Sequence, residues 1–226
     1  MNTATLTARQ LDHASNDASN DASSVRFVDE VIGLAGIFEP QVNVVVLRRP
    51  RSAALAAECD RAVAQTGFRR LFSVTADAPL EHAIGAEFDG FPELAADVQF
   101  WVEALSELTG NERIGVRLAR LEAAMCPRLH VDRVALRLVC TYHGAGTEFV
   151  PSERFDRTRL GHALHNGHAG NHVAWEHEGG VLAAQPGDIV LLKGETWPDN
   201  AGRGAIHRSA SASAQTPRIV MTLDPL

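Results

Sequence analysis

The sequence lacks the features that define several large classes of protein. It has only three cysteines and no C-x-x-C pair among them, so neither a disulfide scaffold nor a zinc ribbon is indicated and a reducing compartment is expected. It has no apolar run long enough to span a membrane, and no apolar N-terminal stretch typical of a signal peptide. We therefore expect a soluble, cytoplasmic protein that does not act at a membrane.

Two further absences narrow the range of functions. The formal net charge is −7 and the chain has no strongly basic run, which argues against nucleic acid as a partner, because phosphate binding needs a basic surface. The chain also lacks the G-x-S-x-G, G-x-x-x-x-G-K-[ST] and G-x-G-x-x-G patterns of serine hydrolases, P-loop enzymes and dinucleotide-binding enzymes. Those three enzyme classes are therefore disfavoured.

The apolar residues that are present suffice for one domain. The chain has 226 residues, of which 45% are hydrophobic, and can bury one sizeable core. Residues 1–24 are rich in Ala, Ser, Asn and Asp and contain the tandem NDASNDAS, which has little to bury, so we predict a disordered leader. Residues 25–226 are predicted to form a single domain.

The predicted secondary structure changes character near residue 112. Before it, strands are predicted within 42–49 and at 69–75, the first followed by a helix. A second helix is predicted at 91–110, where apolar residues recur at helical intervals up to a glycine. After it, short β-type runs are separated by Gly, Pro and Asn. These later strands are predicted within 113–124, 134–142, 147–150, 180–184, 188–194, 204–211 and 218–224.

These elements predict an α/β (α+β) fold. Many short strands without intervening helices are typical of an antiparallel sandwich or barrel, so residues 112–226 are predicted to form a β-rich core. Residues 25–111 are predicted to form an N-terminal layer of helices and strands that packs against this core. No internal repeat of solenoid length is visible.

A histidine and an aspartate stand one residue apart in the stretch CPRLHVDRV, residues 126–134. In a strand, residues i and i+2 point to the same face about 6.6 Å apart, so His130 and Asp132 can converge on one ion. His207 follows Asp132 by 75 residues and lies in another predicted strand. Two histidines and one carboxylate that leave other coordination positions open are the ligand set of non-haem Fe(II) oxygenases.

An arginine, Arg218, follows His207 by 11 residues and begins the predicted strand RIVMTLD. A buried guanidinium needs an anionic partner, and its planar fork is suited to a bidentate carboxylate pair. A dicarboxylate co-substrate that chelates iron at its other end is one such partner. A salt bridge from Arg218 to Asp188 or Glu195 at the sheet surface is the structural alternative.

Together these residues resemble the 2-oxoglutarate and Fe(II)-dependent oxygenase superfamily. The H-x-D pair, the distal histidine and the arginine have similar order and separation there. TYHGAGTEFV and QPGDIVLLKG are similar to the stretches that follow the H-x-D strand and precede the distal histidine. HRSASASAQTPRIVMTL resembles the last segment of phytanoyl-CoA hydroxylase-like members, and the overall resemblance is to the phytanoyl-CoA hydroxylase and prolyl hydroxylase-like members of the superfamily. This resemblance covers about residues 112–224, and the whole chain resembles a bacterial family known as a domain of unknown function.

The resemblance implies a double-stranded β-helix, or jelly-roll, core in which His130, Asp132 and His207 are the metal ligands and the catalytic centre. It implies that Arg218 binds the C5 carboxylate of 2-oxoglutarate, with Tyr142 as a further contact. The implied cofactors are Fe(II) and the co-substrate 2-oxoglutarate, which is oxidatively decarboxylated to succinate while a substrate C–H bond is hydroxylated or otherwise oxidised. The substrate is expected to be a small molecule or a protein side chain, and the oligomeric state is left open.

Other interpretations of these residues remain open. One is a non-catalytic jelly-roll that holds Zn²⁺ with the same ligands and handles metal through the tract 161–177, which carries five histidines and is otherwise a solvated loop. Cys126 is expected to be a buried apolar residue, and its alternative is a zinc site with both histidines. Trp197 is either a wall of the substrate site or packed under its loop. A cupin-like iron enzyme is disfavoured, because the usual His-x-His pair and glutamate are not seen.

Overall fold

The computed structural model describes residues 23–75, 80–160 and 180–226. The predicted leader, residues 1–24, lies almost entirely outside the described residues, and so does the histidine-rich tract 161–177. The last two residues of the leader are described, and the hydroxyls of Ser23 and Ser24 both donate hydrogen bonds to the carboxylate of Glu153.

The described part of the chain contains ten β-strands, three α-helices and three short 3₁₀ helices. The strands are β1 (Val25–Val28), β2 (Val44–Leu47), β3 (Arg69–Thr75), β4 (Arg113–Leu121), β5 (Leu136–His143), β6 (Glu148–Val150), β7 (Leu182–Ala183), β8 (Ile189–Lys193), β9 (Ile206–Arg208) and β10 (Arg218–Pro225). The α-helices are α1 (Ala53–Ala64), α2 (Leu80–Glu87) and α3 (Pro92–Thr109). The 3₁₀ helices are Val31–Phe38, Ser152–Arg154 and Arg157–Arg159. Within the described ranges, no helix has the length and apolar character needed to cross a membrane.

Seven of the strands form one large sheet in the order β1-β2-β8-β5-β10-β4-β3. Its neighbouring strands are antiparallel, except for the parallel pair β1 and β2. The other three strands form a small antiparallel sheet in the order β7-β6-β9. The protein is thus a mixed α/β structure built on a large antiparallel sheet, which confirms the coarse fold class predicted from the sequence.

Each face of the large sheet is covered by a different layer. Along β10, Ile219 and Met221 belong to the core that contains Trp101 of α3. Val220, between them, belongs to a second core that contains Phe149 of β6. Because side chains alternate along a strand, the helices cover one face of the large sheet and the small sheet covers part of the other.

The N-terminal strands join the large sheet and do not form a layer of their own. β1 and β2 extend the sheet at one edge, and β3 forms the other edge. The sequence of β2, VVVL, is buried throughout, as expected for an apolar strand with both faces covered. Only the helices of the predicted layer 25–111 pack across a face of the sheet. The sequence prediction missed β1, α2 and the 3₁₀ helix Val31–Phe38, which are too short to show a clear apolar period.

Candidate metal centre

Two of the predicted ligands, His130 and His207, lie opposite each other on antiparallel segments. The backbone N–H of each donates to the carbonyl of the other over 3.0 Å. His207 lies within β9, whereas His130 forms only this single bridge. Of residues 126–134, only His130 pairs as a strand residue does. A longer ladder would need a backbone N–H that Pro127 lacks.

Side-chain alternation still places the ligands on one side. Val131 packs against a small apolar cluster on the outside of the small sheet, so His130 and Asp132 point the other way. His207 points the same way as its partner across the ladder, Phe149, which is buried in the core between the two sheets. All three candidate ligands thus face the space between the sheets.

The three side chains, which we call the His-Asp-His triad, converge on one point. The distance from His130 Nε2 to Asp132 Oδ1 is 3.3 Å, and that from His207 Nε2 to Asp132 Oδ2 is 3.4 Å. One candidate ligand atom from each residue lies within 4.8 Å of the other two. Metal–ligand bonds of about 2.0–2.2 Å that meet near right angles place their donor atoms about 3 Å apart, so the triad fits a first-row divalent cation.

Hydrogen bonds to the backbone orient both imidazoles. His130 Nδ1 lies 3.0 Å from the carbonyl oxygen of Arg128, and His207 Nδ1 lies 3.1 Å from that of Ala205. A carbonyl only accepts, so Nδ1 carries a proton in both rings, while Nε2 faces Asp132 and is the atom of each ring that a metal would bind. This backbone support is what a histidine ligand requires for a fixed tautomer and ring orientation.

The charges around the triad keep its carboxylate ionised. Burial would raise the pKa of Asp132, but hydrogen bonds with His130 and His207 and the charge of Arg137 outweigh it and hold that pKa far below its usual range. The bond with Asp132 in turn raises the pKa of His130. Arg137 donates to Asp132 over 2.6 Å and to the two carboxylate oxygens of Asp224 over 2.6 and 2.9 Å. Asp132 is therefore held as an anion, the form that a metal ligand must take.

The sequence patterns did not indicate Arg137 and Asp224 as residues of the site. Both lie in strands whose other residues are mostly apolar, LRLVCTYH for β5 and RIVMTLDP for β10. A charged residue inside such a strand needs a partner, and this was the available signal. The pairing itself depends on β5 and β10 being neighbours in the sheet, which their separation in the sequence does not reveal.

A close approach of two backbone segments positions Asp132. Gly194 directly follows β8, and a Cβ there would collide with the carbonyl oxygen of Val134 and come within 2.9 Å of that of Asp132. The next N–H, that of Glu195, donates to the Asp132 carbonyl over 3.0 Å. Only glycine fits this contact without displacing the segment that carries Asp132.

We expect Gly194→Ala to lower metal affinity by about 10- to 100-fold, the usual effect of losing a group that positions a ligand. The measurement is calorimetric titration with Co²⁺, with the far-ultraviolet circular dichroism spectrum as a check of folding. Gly85→Ala is the matched control, because Gly85 lies in α2 and a Cβ there meets nothing within 4 Å. A Gly194→Ala protein that binds Co²⁺ as the parent does would show that this contact does not position the ligand.

The predicted co-substrate arginine, Arg218, lies at the start of β10 with 1% of its surface exposed. Its Nε donates to the carbonyl of Ala145 over 2.6 Å, one terminal nitrogen to that of Ala210 over 3.3 Å, and the other to the hydroxyl of Thr141 over 3.2 Å. Gly144, at φ 83°, leaves room for the stem, since a Cβ there would lie 2.9 Å from Arg218 Cγ. All three hydrogen-bond partners are neutral.

The alternative salt bridges of Arg218 are not formed. Asp188 accepts a backbone N–H within its own turn, and Glu195 accepts two from the following loop. Burial lowers the pKa of Arg218, and attraction to Glu148 only partly opposes this. Within the described part of the chain, Arg218 is therefore a buried cation without a carboxylate in hydrogen-bond contact, which is unfavourable until an anion joins it.

Tyr142, predicted to contact the same co-substrate carboxylate as Arg218, lies on the opposite face of β5 from the residue that contacts Arg218. Its side chain is fully buried in the core beneath the helices, and its hydroxyl donates to Asp97 of α3 over 2.6 Å. Its neighbour Thr141 faces Arg218 instead. Alternation along β5 thus turns the ring of Tyr142 away from the space between the sheets.

Two further sequence interpretations are decided by burial and packing. Cys126 is exposed, so the expectation that it is buried is wrong. It does not join the one metal-capable group found among the described residues, which consists of the triad alone. Trp197 packs against Phe38, with ring centres 5.6 Å apart, and under the ammonium of Lys193 on the helix side of the sheet. This favours a packing role for Trp197 over a wall of the triad site.

The solved structures to which this chain is similar in fold include proteins described as dioxygenases. The dioxygenase for auxin oxidation 1 of Arabidopsis thaliana, solved as a complex with 2-oxoglutarate, aligns over 89% of this chain and 91% of its own, with a TM-score of 0.50 and 11% identity. The rice dioxygenase for auxin oxidation aligns over 87% of this chain and 77% of its own, with a TM-score of 0.49 and 14% identity. A prolyl 4-hydroxylase of Pseudomonas putida aligns over 86% of this chain and 97% of its own, with a TM-score of 0.45 and 12% identity.

The fold and the triad together therefore define a protein similar in architecture to 2-oxoglutarate oxygenases, which confirms the predicted resemblance at the level of the fold. The chain belongs to the family described as "Protein of unknown function (DUF1826)", whose model matches residues 28–224. No curated protein matches it in sequence.

Proposed function

We propose that the protein is an Fe(II)- and 2-oxoglutarate-dependent oxygenase that hydroxylates or otherwise oxidises its substrate. The observation that carries this proposal is the convergence of the triad between two β-sheets. The large sheet presents, on the face that carries Val220, a buried arginine with only neutral hydrogen-bond partners. Two imidazoles, one carboxylate and a separate carboxylate-binding group are the requirements of this chemistry.

The strand arrangement supports a double-stranded β-helix core. Four neighbours of the large sheet, in the order β8-β5-β10-β4, face the small sheet β7-β6-β9. The bridge between His130 and His207 adds the segment of His130 to the small sheet as a fourth member. Two facing antiparallel sheets of four members each are the architecture of a jelly-roll, to which β1, β2, β3 and the helices are additions.

In this proposal the triad holds Fe(II), and Arg218 binds the distal carboxylate of 2-oxoglutarate. Bound iron supplies the reaction with O₂ that couples decarboxylation of 2-oxoglutarate to succinate with oxidation of a substrate C–H bond. The triad provides three donors on one side and leaves other positions open, since no fourth histidine, cysteine or carboxylate joins it among the described residues. A structural zinc site would use four protein ligands.

The protein's own contribution is to orient ligands and to exclude water. Arg137 and two backbone carbonyls fix the ligand orientations. Phe149, directly across the ladder from His207, is fully buried in the core between the sheets, which shields one side of the triad from bulk water. The oxidised group is proposed to belong to a small molecule or a protein side chain.

Anaerobic titration tests this proposal. We expect the metal-free protein, reconstituted with Fe(II), to develop a visible charge-transfer band on addition of 2-oxoglutarate, and to lose it when Arg218 is replaced. A protein that binds Fe(II) but shows no band at saturating 2-oxoglutarate would refute the proposal. Stoichiometric Zn²⁺ binding without any response to 2-oxoglutarate would instead support the non-catalytic metal-binding alternative.

A further inference from the structure

A cavity of about 300 Å³ lies on the outer part of the large sheet. It is lined by residues of β3, β4 and the segments next to them: Gly67, Phe68, Arg69, Arg117, Ala119, Arg120, Leu121 and Met125. Arg117 pairs with Thr222 across the ladder of β4 and β10, and Thr222 lies four residues after Arg218 in β10. Residues an even number apart in a strand share a face, so Arg117 and Arg218 lie on the same face of the sheet. Arg117, Ala119 and Leu121 therefore line the cavity on the sheet face that also carries Arg218, while Phe68 and Arg120 belong to the helix-side face.

Two of the three arginines in the cavity lack a carboxylate partner. Arg120 pairs with Glu122, whereas Arg69 and Arg117 form no ion pair within residues 23–75, 80–160 and 180–226. Burial, followed by repulsion from Arg137, lowers the pKa of Arg117, and attraction to Asp224 opposes it. Both carboxylate oxygens of Asp224 already accept hydrogen bonds from Arg137, one from Nε and one from a terminal nitrogen. An anion in the cavity would relieve this excess of positive charge.

The rest of the cavity wall is apolar. Leu121 and Met125 line it together with Ala119 and the buried Phe68, and Met125 is 44% exposed. Leu71 lies outside the lining but across the ladder from Arg117, and it is 64% exposed. Large apolar side chains left exposed beside unpaired cations suit a ligand with a carboxylate and an apolar body. Charge complementarity and exposed apolar surface thus indicate the same class of ligand.

Covalent and hydrogen-bonded links connect this cavity to the triad. Met125 lies five residues before His130, and the intervening segment is held by a hydrogen bond from Ser209 N–H, two residues after His207, to the Cys126 carbonyl over 2.9 Å. Arg117 donates to the hydroxyl of Thr222 over 3.3 Å. Thr222 lies between Arg117 and Val139 in the sheet, so Arg117 is two strand spacings, about 10 Å, from β5. β5 carries Arg137, which donates to Asp132 of the triad.

We propose that the cavity lined by Arg69 and Arg117 binds the carboxylate of an amphiphilic organic acid, and that this acid is the substrate oxidised at the triad. The substrate role rests on the proposed oxygenase function. The anion site itself does not, because it is defined by the two arginines and the apolar wall alone.

Fluorine NMR of the full-length, metal-free protein tests the anion site with a matched pair of probes, trifluorohexanoate and its neutral primary amide. We expect line broadening of the acid on binding, and at least about tenfold weaker binding of the amide, since a hydrogen bond to a charged group is worth a factor of this size. Arg117→Gln and Arg69→Gln should each weaken binding of the acid by a similar factor. Arg113→Gln is the control, because Arg113 is an exposed arginine of the same strand and lies outside the cavity.

Proximity to the triad is tested by loading the protein with Co²⁺ or with Zn²⁺. Paramagnetic Co²⁺ should broaden the fluorine signal of the bound acid well beyond its width with diamagnetic Zn²⁺. Equal binding of acid and amide, an unchanged Arg117→Gln protein, or competitive displacement of the acid by 2-oxoglutarate would each overturn the proposal. If 2-oxoglutarate produces no charge-transfer band, the proposed oxygenase function fails, and the proposal that the acid is its substrate fails with it. The anion site is tested separately, by the fluorinated acid and its amide.

Discussion

Asp132→Ala is expected to abolish metal binding at micromolar concentrations, with a loss of affinity of more than about 100-fold. The carboxylate is the only anionic ligand of the triad, and both Nε2 atoms face it. Loss of a ligand must cost more than the 10- to 100-fold that loss of a group supporting a ligand costs. Removal of Asp132 leaves Arg137 paired with Asp224, so the fold is expected to survive. Calorimetric titration with Co²⁺ and with Fe(II) under nitrogen measures the effect.

The other ligands provide parallel tests. His207→Ala should lose metal binding as Asp132→Ala does, because its Nε2 lies 3.4 Å from the same carboxylate. His143→Ala is the control: His143 is a partly exposed histidine whose ring contacts Asp60 at the surface, and its removal should leave metal affinity unchanged. Retained stoichiometric binding by Asp132→Ala would mean that the metal site lies elsewhere.

Arg218→Met is expected to abolish the response to 2-oxoglutarate while metal binding remains. Truncating one partner of a buried charge pair costs about 2–5 kcal/mol, so the affinity for 2-oxoglutarate should fall by at least about 30-fold. Methionine keeps much of the apolar stem that passes over Gly144 but removes every donor. The band that 2-oxoglutarate induces in the Fe(II) protein is the measurement, and unchanged Co²⁺ affinity shows that the variant is folded.

Arg218→Lys separates charge from geometry. Lysine retains the cation but not the planar fork that donates to Ala145, Ala210 and Thr141, so we expect an affinity between those of the parent and Arg218→Met. Arg113→Gln, which removes an exposed arginine, should bind 2-oxoglutarate normally. If Arg218→Met binds 2-oxoglutarate as tightly as the parent protein does, the co-substrate carboxylate is held by another group.

Local sequence patterns predicted most of the secondary structure. The apolar spacing of α3 and its glycine end, and the strand at residues 69–75, match the structure closely. The strand-like alternation around His130 and Asp132 does not form a strand, because bends and a single bridge occupy these residues. The H-x-D spacing still predicted the convergence, since alternation of side chains holds even at one bridged residue. The pairing of Arg137 with Asp224 was missed, because it depends on which strands are neighbours.

The sequence by itself determined the kind of chemistry that the chain can support: two histidines, a carboxylate and a distal arginine, in an order and on strands that resemble an oxygenase. Only the tertiary structure decided which of these groups share a face. Tyr142 and Thr141 are adjacent in β5, yet one is buried under α3 and the other contacts Arg218. Alternation separates such neighbours onto opposite faces, but which face meets the helices and which meets the small sheet depends on packing of the whole chain.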